Sequence, residues 1–264
     1  MCSVRSLEQR EADVAEAADP AWLAGARAWA VVDLGICARA GGPVADAGRP
    51  RGASIKATEA IARACATAGI PLIVVSCRHA GTGTGLCGAT SASRERIATE
   101  IAPGALVIRP GALFGPWETG DPLTRRLCGL RSPRAMDEQL VSPAYIPDVV
   151  NAALDLVVDA ESGLWELDHG IQTTWNELSV ALRALAEGSD PSSLVELGRH
   201  AHDHPLPLPA LVDAMTRFMR ETEPIWRRAV DGEPAEVVEL DSAPGYEYPA
   251  MEPASTLTRA SEAG

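Results

Sequence analysis

Lysine is nearly missing from this chain: Lys56 is the only one in 264 residues. Chemistry that needs a lysine ammonium at a fixed place therefore has a single candidate. Phe and Tyr are scarce too, at two and three, which argues against a stacking platform for single-stranded nucleic acid. No apolar run approaches the roughly 20 residues that a membrane span needs, so no membrane partner is expected. The opening residues, MCSVRSLEQREADV, lack the apolar core of a secretory leader, and a cytoplasmic location is the expectation. The six cysteines show no CxxC spacing, which suggests reduced thiols rather than a zinc site or a disulfide framework. Positive charge is short as well. With 23 basic and 36 acidic residues the net charge is −13, and a nucleic-acid partner is disfavoured because phosphate needs a basic surface.

What is present is alternation. Residues 105–117, ALVIRPGALFGPW, open on a short apolar run closed by Arg109 and stopped by Pro110 and Gly111. An unbroken apolar run suits a strand of a parallel sheet covered on both faces. Residues 29–34 (WAVVDL) and 71–76 (PLIVVS) read the same way. Between them, Ala57, Ala60, Ile61, Ala64, Cys65 and Ala68 recur at helical spacing, with Ser54 as N-cap and Gly69 and Pro71 as the stop. Residues 77–90 read as a glycine-rich loop and 91–101 as a helix. Strand, helix, strand, helix, strand predicts a parallel α/β sheet with right-handed crossovers. Such strands present their carboxyl ends to ligand, so 109–117 is expected to face a site.

The flanks read more simply. Residues 5–25 suggest one helix that Pro20 breaks near its end. Residues 38–53, 118–140 and 188–207 read as loops or surface excursions. Residues 145–158 form a helix with Pro147 in its first turn. A strand at 163–167 precedes a capping box, Thr174 with Glu177, that opens a helix to about 186. Residues 208–221 are amphipathic, with Leu211, Val212, Met215, Phe218 and Met219 inward. The acidic, proline-rich stretch 229–264 lacks periodicity, and disorder is expected there.

The stretch at 105–117 resembles the "hhRxxxhFGP" segment of the extended short-chain dehydrogenases/reductases, in the branch typified by dTDP-4-dehydrorhamnose reductase (RmlD-like). Residues 28–34 resemble that family's "PDVVINAA" strand, and 54–76 its next helix and strand. PAYIPD at 143–148 resembles its "PTyipDla" turn, 163–178 its "GiyHlxxxgxxsWxel" segment, and 208–220 its terminal helix. The resemblance covers roughly 5–225. It implies a Rossmann-like core at about 28–160 and C-terminal lobe elements at about 105–228 that hold a sugar nucleotide, with NADP(H) as cofactor.

Three departures qualify what the resemblance implies. The family opens with a strand, a glycine-rich phosphate loop and a helix whose N-terminus stabilises the pyrophosphate. Nothing ahead of residue 5 supplies these: either the segment is lost or the gene model starts at an internal Met. The family also needs Tyr-x-x-x-Lys, whose tyrosine passes a proton to the substrate carbonyl. CGATS at 87–91 stands there, with Cys87 for the tyrosine and Ser91 for the lysine. The hydroxyl of the family's "STD" is replaced by Cys77 in Ser76-Cys77-Arg78. Finally, the loop between these motifs is shorter than in the family.

Gly83, Gly85 and Gly88 spell GxGxxG between a strand and a helix. They read either as a rebuilt diphosphate cradle or as glycines filling a shortened loop, six residues past the strand end. Cys77 and Cys87 flank this loop, and His79 could activate one as a thiolate; the alternative is thiols with no role. His200, His202 and His204 alternate in a loop but lack a second ligand cluster, so no metal site is assigned. Asp148 reads as an early-helix charge favourable to the dipole. Arg109, Phe114, Trp117 and Tyr145 are the substrate-binding candidates, the arginine for diphosphate and the aromatics for base or sugar. A buried structural arginine is an equal reading of Arg109, and Trp175 reads as packing behind the capping box.

The expectation is an α/β protein with a truncated Rossmann-like parallel sheet and a small C-terminal lobe. Its function reads as that of a degenerate RmlD-like protein, without reductase activity, that binds a nucleotide-sugar-like small molecule or a partner protein. Two alternatives stand beside it. One is an NADP-dependent 4-keto-sugar-nucleotide reductase whose missing parts lie elsewhere. The other is a regulatory or structural subunit whose broken sheet edge a partner covers.

Overall fold

The computed structural model describes residues 18–35, 51–82, 85–116, 123, 140–188 and 208–230. In chain order the elements are α1 (Pro20–Gly25), β1 (Val31–Asp33), α2 (Arg51–Ala68), β2 (Leu72–Val75), α3 (His79–Thr82), α4 (Gly85–Ile101) and β3 (Leu106–Pro110). Then come β4 (Ala112–Phe114), β5 (Leu140–Val141), β6 (Pro143–Tyr145), α5 (Ile146–Val158), β7 (Gly163–Leu167), β8 (Thr173–Thr174), α6 (Trp175–Ala186) and α7 (Leu211–Val230).

Four parallel strands form the central sheet in the order β1-β2-β3-β7. The connections β1–β2 and β2–β3 run through α2 and α4 on one face of the sheet, and the connection from β3 to β7 runs through α5 on the other. The strands are apolar on both faces because helices cover both. On one face Leu72, Val74, Ala105 and Val107 pack with Ile61, Ala62, Ala64 and Cys65 of α2, Ala98 of α4 and Leu23 of α1. The small side chains let α2 and α4 approach each other closely. On the other face Ile73, Leu106 and Ile108 meet Val149, Leu156 and Val157 of α5. That cover stops short of β1. Val32, the register partner of Ile73, and Leu34 are each 52% exposed, and Trp29 nearby is 51% exposed.

A second core belongs to the C-terminal lobe. There Phe114, Tyr145, Trp175, Leu178, Leu182, Leu211, Met215 and Phe218 are buried together. The lobe joins two short strand pairs, β4 with β6 and β5 with β8, to α6 and α7. Burying side chains of this size stabilises by about 1.5–3 kcal/mol each, enough to fix α7 although an isolated helix of this length is marginal. The capping box opens α6 as expected. Thr174 Oγ1 accepts the Glu177 N–H at 3.1 Å, and Glu177 Oε2 accepts the Thr174 N–H at 2.9 Å.

Several local expectations are corrected. Pro20 begins α1 rather than breaking a helix, with Asp19 as its N-cap accepting the Ala21 N–H at 2.9 Å. A proline at the first helical position loses no hydrogen bond. Ser54 lies inside α2, which starts at Arg51, and so is not its cap. The stretch read as a loop over 77–90 is largely helical, in α3 and the first turns of α4. Glycine weakens a helix by only about 1 kcal/mol, and packing of α4 on α2 and α3 outweighs it. Helix α7 runs to Val230, across the boundary expected at about 228. The helix read over 5–17, the loops over 38–50 and 189–207, most of the 118–140 excursion and the tail from 231 lie outside the described residues. Among the described residues no helix is long and apolar enough to cross a membrane.

Candidate functional site

The carboxyl ends of β2, β3 and β7 gather a charged cluster. Arg109, the fourth residue of β3, makes a bidentate pair with Glu95 of α4, at 2.9 Å from Nε and 2.6 Å from Nη2. Its Nη1 lies 3.7 Å from Glu166 of β7. Ser76, just past β2, donates its hydroxyl to the same Glu95. Arg78 pairs with the buried Asp168, lies 3.9 Å from Glu166, and donates to Ser142 Oγ at 3.0 Å. Gly111 is packed into this cluster. A Cβ there would collide with the Ser142 carbonyl oxygen and stand 3.0 Å from Asp168 Cβ.

The cluster holds two guanidinium groups, Arg78 and Arg109, against three carboxylates, Glu95, Glu166 and Asp168. Arg109 is pushed above its ordinary range, first by its hydrogen bond to Glu95. Arg78 is pushed down by burial, with Glu166 opposing the shift. Charge-assisted bidentate pairs of this kind are strong and directional. Both cations are thus engaged by carboxylates of the chain itself. Beside the cluster, the Cys77 thiol meets Ser91 Oγ at 3.4 Å, with Ser91 buried. A shallow groove of about 250 Å³ lies beside α4, lined by Ala92, Glu95, Arg96, Thr99, Val107 and Leu164. That is less than the roughly 300–1,000 Å³ of a usual small-molecule site.

A second polar network lies under the end of β1. Arg94 of α4 is fully buried. Its Nη2 meets Asp33 Oδ2 at 2.9 Å, its Nε donates to Thr58 Oγ1 at 2.9 Å, and its Nη1 reaches the Val75 carbonyl at 3.3 Å. Asp33 is fully used: Oδ2 accepts the Thr58 hydroxyl at 2.6 Å and Oδ1 the Gly35 N–H at 3.0 Å. Gly35 has a positive φ of 51°, and a Cβ there would strike the Arg94 guanidinium.

A third network joins the lobe to the sheet. Asp148 in the first turn of α5 is buried and makes a bidentate pair with Arg217 of α7, 2.7 Å on each side. Arg217 stands 5.1 Å from the centre of the Tyr145 ring, and Tyr145 donates its hydroxyl to Glu221 at 3.0 Å. Burial and the Glu221 carboxylate push the Tyr145 hydroxyl well above its ordinary pKa. His169, after β7, accepts the Tyr145 N–H on Nε2 at 3.1 Å.

The sequence-derived candidates divide accordingly. Cys77 and Ser91 are brought together. Cys87 lies on the first turn of α4 with Gly85, and Gly88 follows within the same helix, whereas Gly83 falls outside the described residues. Trp117, His200, His202 and His204 also lie outside them, and His79 opens α3. Phe114 and Tyr145 are packed in the lobe. They are 1% and 0% exposed, their rings are 5.2 Å apart, and they form the lobe core with Phe218. Trp175 packs in that core. Arg109 pairs with Glu95 and lies 3.7 Å from Glu166. Asp148 does more than face a helix dipole, since it anchors α7. Glu95, Glu166, Asp168 and Arg94 were not singled out as site residues. Glu166 and Asp168 carry no sequence signal beyond their place at a strand end, and Arg94 and Glu95 none beyond their place in a helix.

Gly85 and Gly88 stand at the start of α4, and the strand-end cluster sets three carboxylates against two guanidinium groups, an excess that opposes the phosphates of a dinucleotide there.

The sequence matches no protein-family model and no curated protein. Its structure is similar to that of dTDP-4-dehydrorhamnose reductase from Bacillus anthracis, solved in complex with NADP. The TM-score is 0.60 at 15% identity, over 81% of this chain and 85% of that one. It is similar to dTDP-4-dehydrorhamnose reductase from Yersinia enterocolitica, with TM-score 0.55 at 12% identity over 79% and 86% of the two chains. UDP-glucose 4-epimerase from Thermotoga maritima, solved with UDP-glucose, gives a TM-score of 0.56 at 17% identity over 80% and 83%. The four-stranded parallel sheet, the crossover order and these likenesses together give the chain an RmlD-like extended short-chain dehydrogenase/reductase fold.

Proposed function

We propose that the chain is a degenerate RmlD-like protein that binds a nucleotide-sugar-like ligand without reducing it. The observation that carries the loss of reduction is the Cys77–Ser91 contact of 3.4 Å. The family resemblance puts a catalytic hydroxyl and a lysine at these two positions. A serine carries no charge to lower a phenol pKa, and the half-buried Cys77 thiol is a poor proton donor to a carbonyl. The carboxylate excess around Arg78 and Arg109 supports the same reading. Ligand binding is supported by the fold, whose solved neighbours are sugar-nucleotide enzymes. Any such ligand would approach from the strand-end side, where parallel sheets take their ligands.

The test is a calorimetric titration of the full chain with dTDP and with NADPH, followed by NADPH absorbance with a dTDP-4-keto sugar present. Saturable dTDP binding with no NADPH oxidation is expected. Oxidation that depends on the keto sugar would overturn the reading and restore the reductase. Binding of neither, by a folded chain, favours the partner-subunit reading. The exposed Trp29, Val32 and Leu34 along edge strand β1 support that second reading.

A further inference from the structure

We propose that His169 is an acid-released latch that holds the C-terminal lobe to the parallel sheet through the start of α5 and the approach to α7. The inference is independent of the ligand proposed above. Three segments meet on one imidazole. Its Nε2 accepts the Tyr145 N–H at 3.1 Å, and Tyr145 starts α5 with no side-chain cap of its own. Its Nδ1 lies 2.6 Å from the Pro209 carbonyl, two residues before α7. A carbonyl can only accept, so Nδ1 carries the proton and the ring is neutral. A second proton can enter only at Nε2, where the lone pair is already used. Protonation therefore sets the new N–H against the Tyr145 N–H in a buried space.

The charged neighbours do not relieve that conflict. Among the described residues Asp148 of α5 is the one carboxylate paired with Nε2, at 4.0 Å, but both its oxygens accept from Arg217 at 2.7 Å. Arg217 of α7 opposes a second cation. Glu221, also on α7, accepts the Tyr145 hydroxyl on the far side of that ring. On the β7 side, Asp168 is paired with Arg78 and accepts the Gly170 N–H at 2.6 Å. Phe114 fills the remaining approach, with ring centres 6.3 Å apart. Acid therefore either draws Asp148 away from Arg217 toward the imidazolium or lifts Pro209 from the ring. Each outcome loosens α7.

The sign follows from linkage. Burial lowers the His169 pKa from the ordinary 6.5. The latch is then intact above pH 6.5 and weakens as the pH falls below it, down to the depressed pKa of the closed form. One proton gives at most a tenfold change in the closing equilibrium per pH unit.

Hydrogen exchange on the full chain from pH 7.5 to 5 tests this, with peptides from α7 compared with peptides from α4. Rates are corrected for the intrinsic pH dependence of exchange. Protection of α7 is expected to fall by up to tenfold per unit below pH 6.5 while α4 keeps its protection. In His169→Gln, α7 protection is expected to be lower throughout and flat with pH. A parallel loss in α4 and α7, a flat α7 profile in the parent, or an unchanged slope in the variant would each overturn the latch. Should the variant not fold, the His169 ring titration in the parent decides by NMR. A depressed midpoint with α7 opening on the acid side supports the latch. Titration at the ordinary pKa with α7 unmoved overturns it.

Discussion

Replacing Asp33 by alanine tests the buried network under β1. Arg94 is fully buried, and Asp33 is its one carboxylate partner among the described residues. The substitution leaves the guanidinium without its counter-charge. It also removes the acceptors of the Thr58 hydroxyl and the Gly35 N–H. The Val75 carbonyl at 3.3 Å and Thr58 Oγ1 at 2.9 Å remain, and neither carries charge. Removing one partner of a buried ion pair costs about 3–5 kcal/mol. That is a large share of the roughly 5–15 kcal/mol that holds a domain folded. With a urea m-value of about 2–3 kcal/mol/M, the midpoint should fall by about 1–2.5 M. Urea titration followed by far-UV circular dichroism reads this directly. The double variant Asp33→Asn with Arg94→Met removes both charges and keeps an acceptor for Gly35 and Thr58. It should lie within about 1–2 kcal/mol of the parent. A single-variant loss under about 1 kcal/mol, or a double variant no better than the single, would refute the argument.

Other sites give sharper local tests. Gly111→Ala drives a methyl into the Ser142 carbonyl and should destabilise by about 1–3 kcal/mol in thermal unfolding. Phe114→Ala opens a cavity between Tyr145 and Phe218 and should cost about 3–5 kcal/mol; a loss near zero would return Phe114 to the ligand surface first expected for it. The Cys65 thiol is 1% exposed and pushed up to about 11, mainly by burial, so its peptide should stay unalkylated at pH 8 until the chain unfolds, as read by mass spectrometry.

How much of this was legible in the sequence depends on how local the cause is. The strands at 31–33, 72–75 and 106–110 were legible because unbroken apolar runs between helices need cover on both faces. The Thr174–Glu177 capping box and the inward face of α7 were legible because their partners lie within one or two turns. The Gly-rich stretch at 77–90 was misread because packing against α2, absent from any local window, overrides its weak propensity. Site chemistry was less legible still. Arg109 and Tyr145 looked like ligand groups because an arginine or a tyrosine near a strand end carries no mark of its partner. Glu95 lies 14 residues from Arg109, Asp33 lies 61 from Arg94, and Asp148 lies 69 from Arg217. Neighbours along the chain suffice for the alternating pattern, the Thr174–Glu177 capping box and the apolar face of α7. Which charges neutralise each other and which aromatics pack in the core follow from the sheet crossovers, which bring residues far apart in the chain within bonding distance.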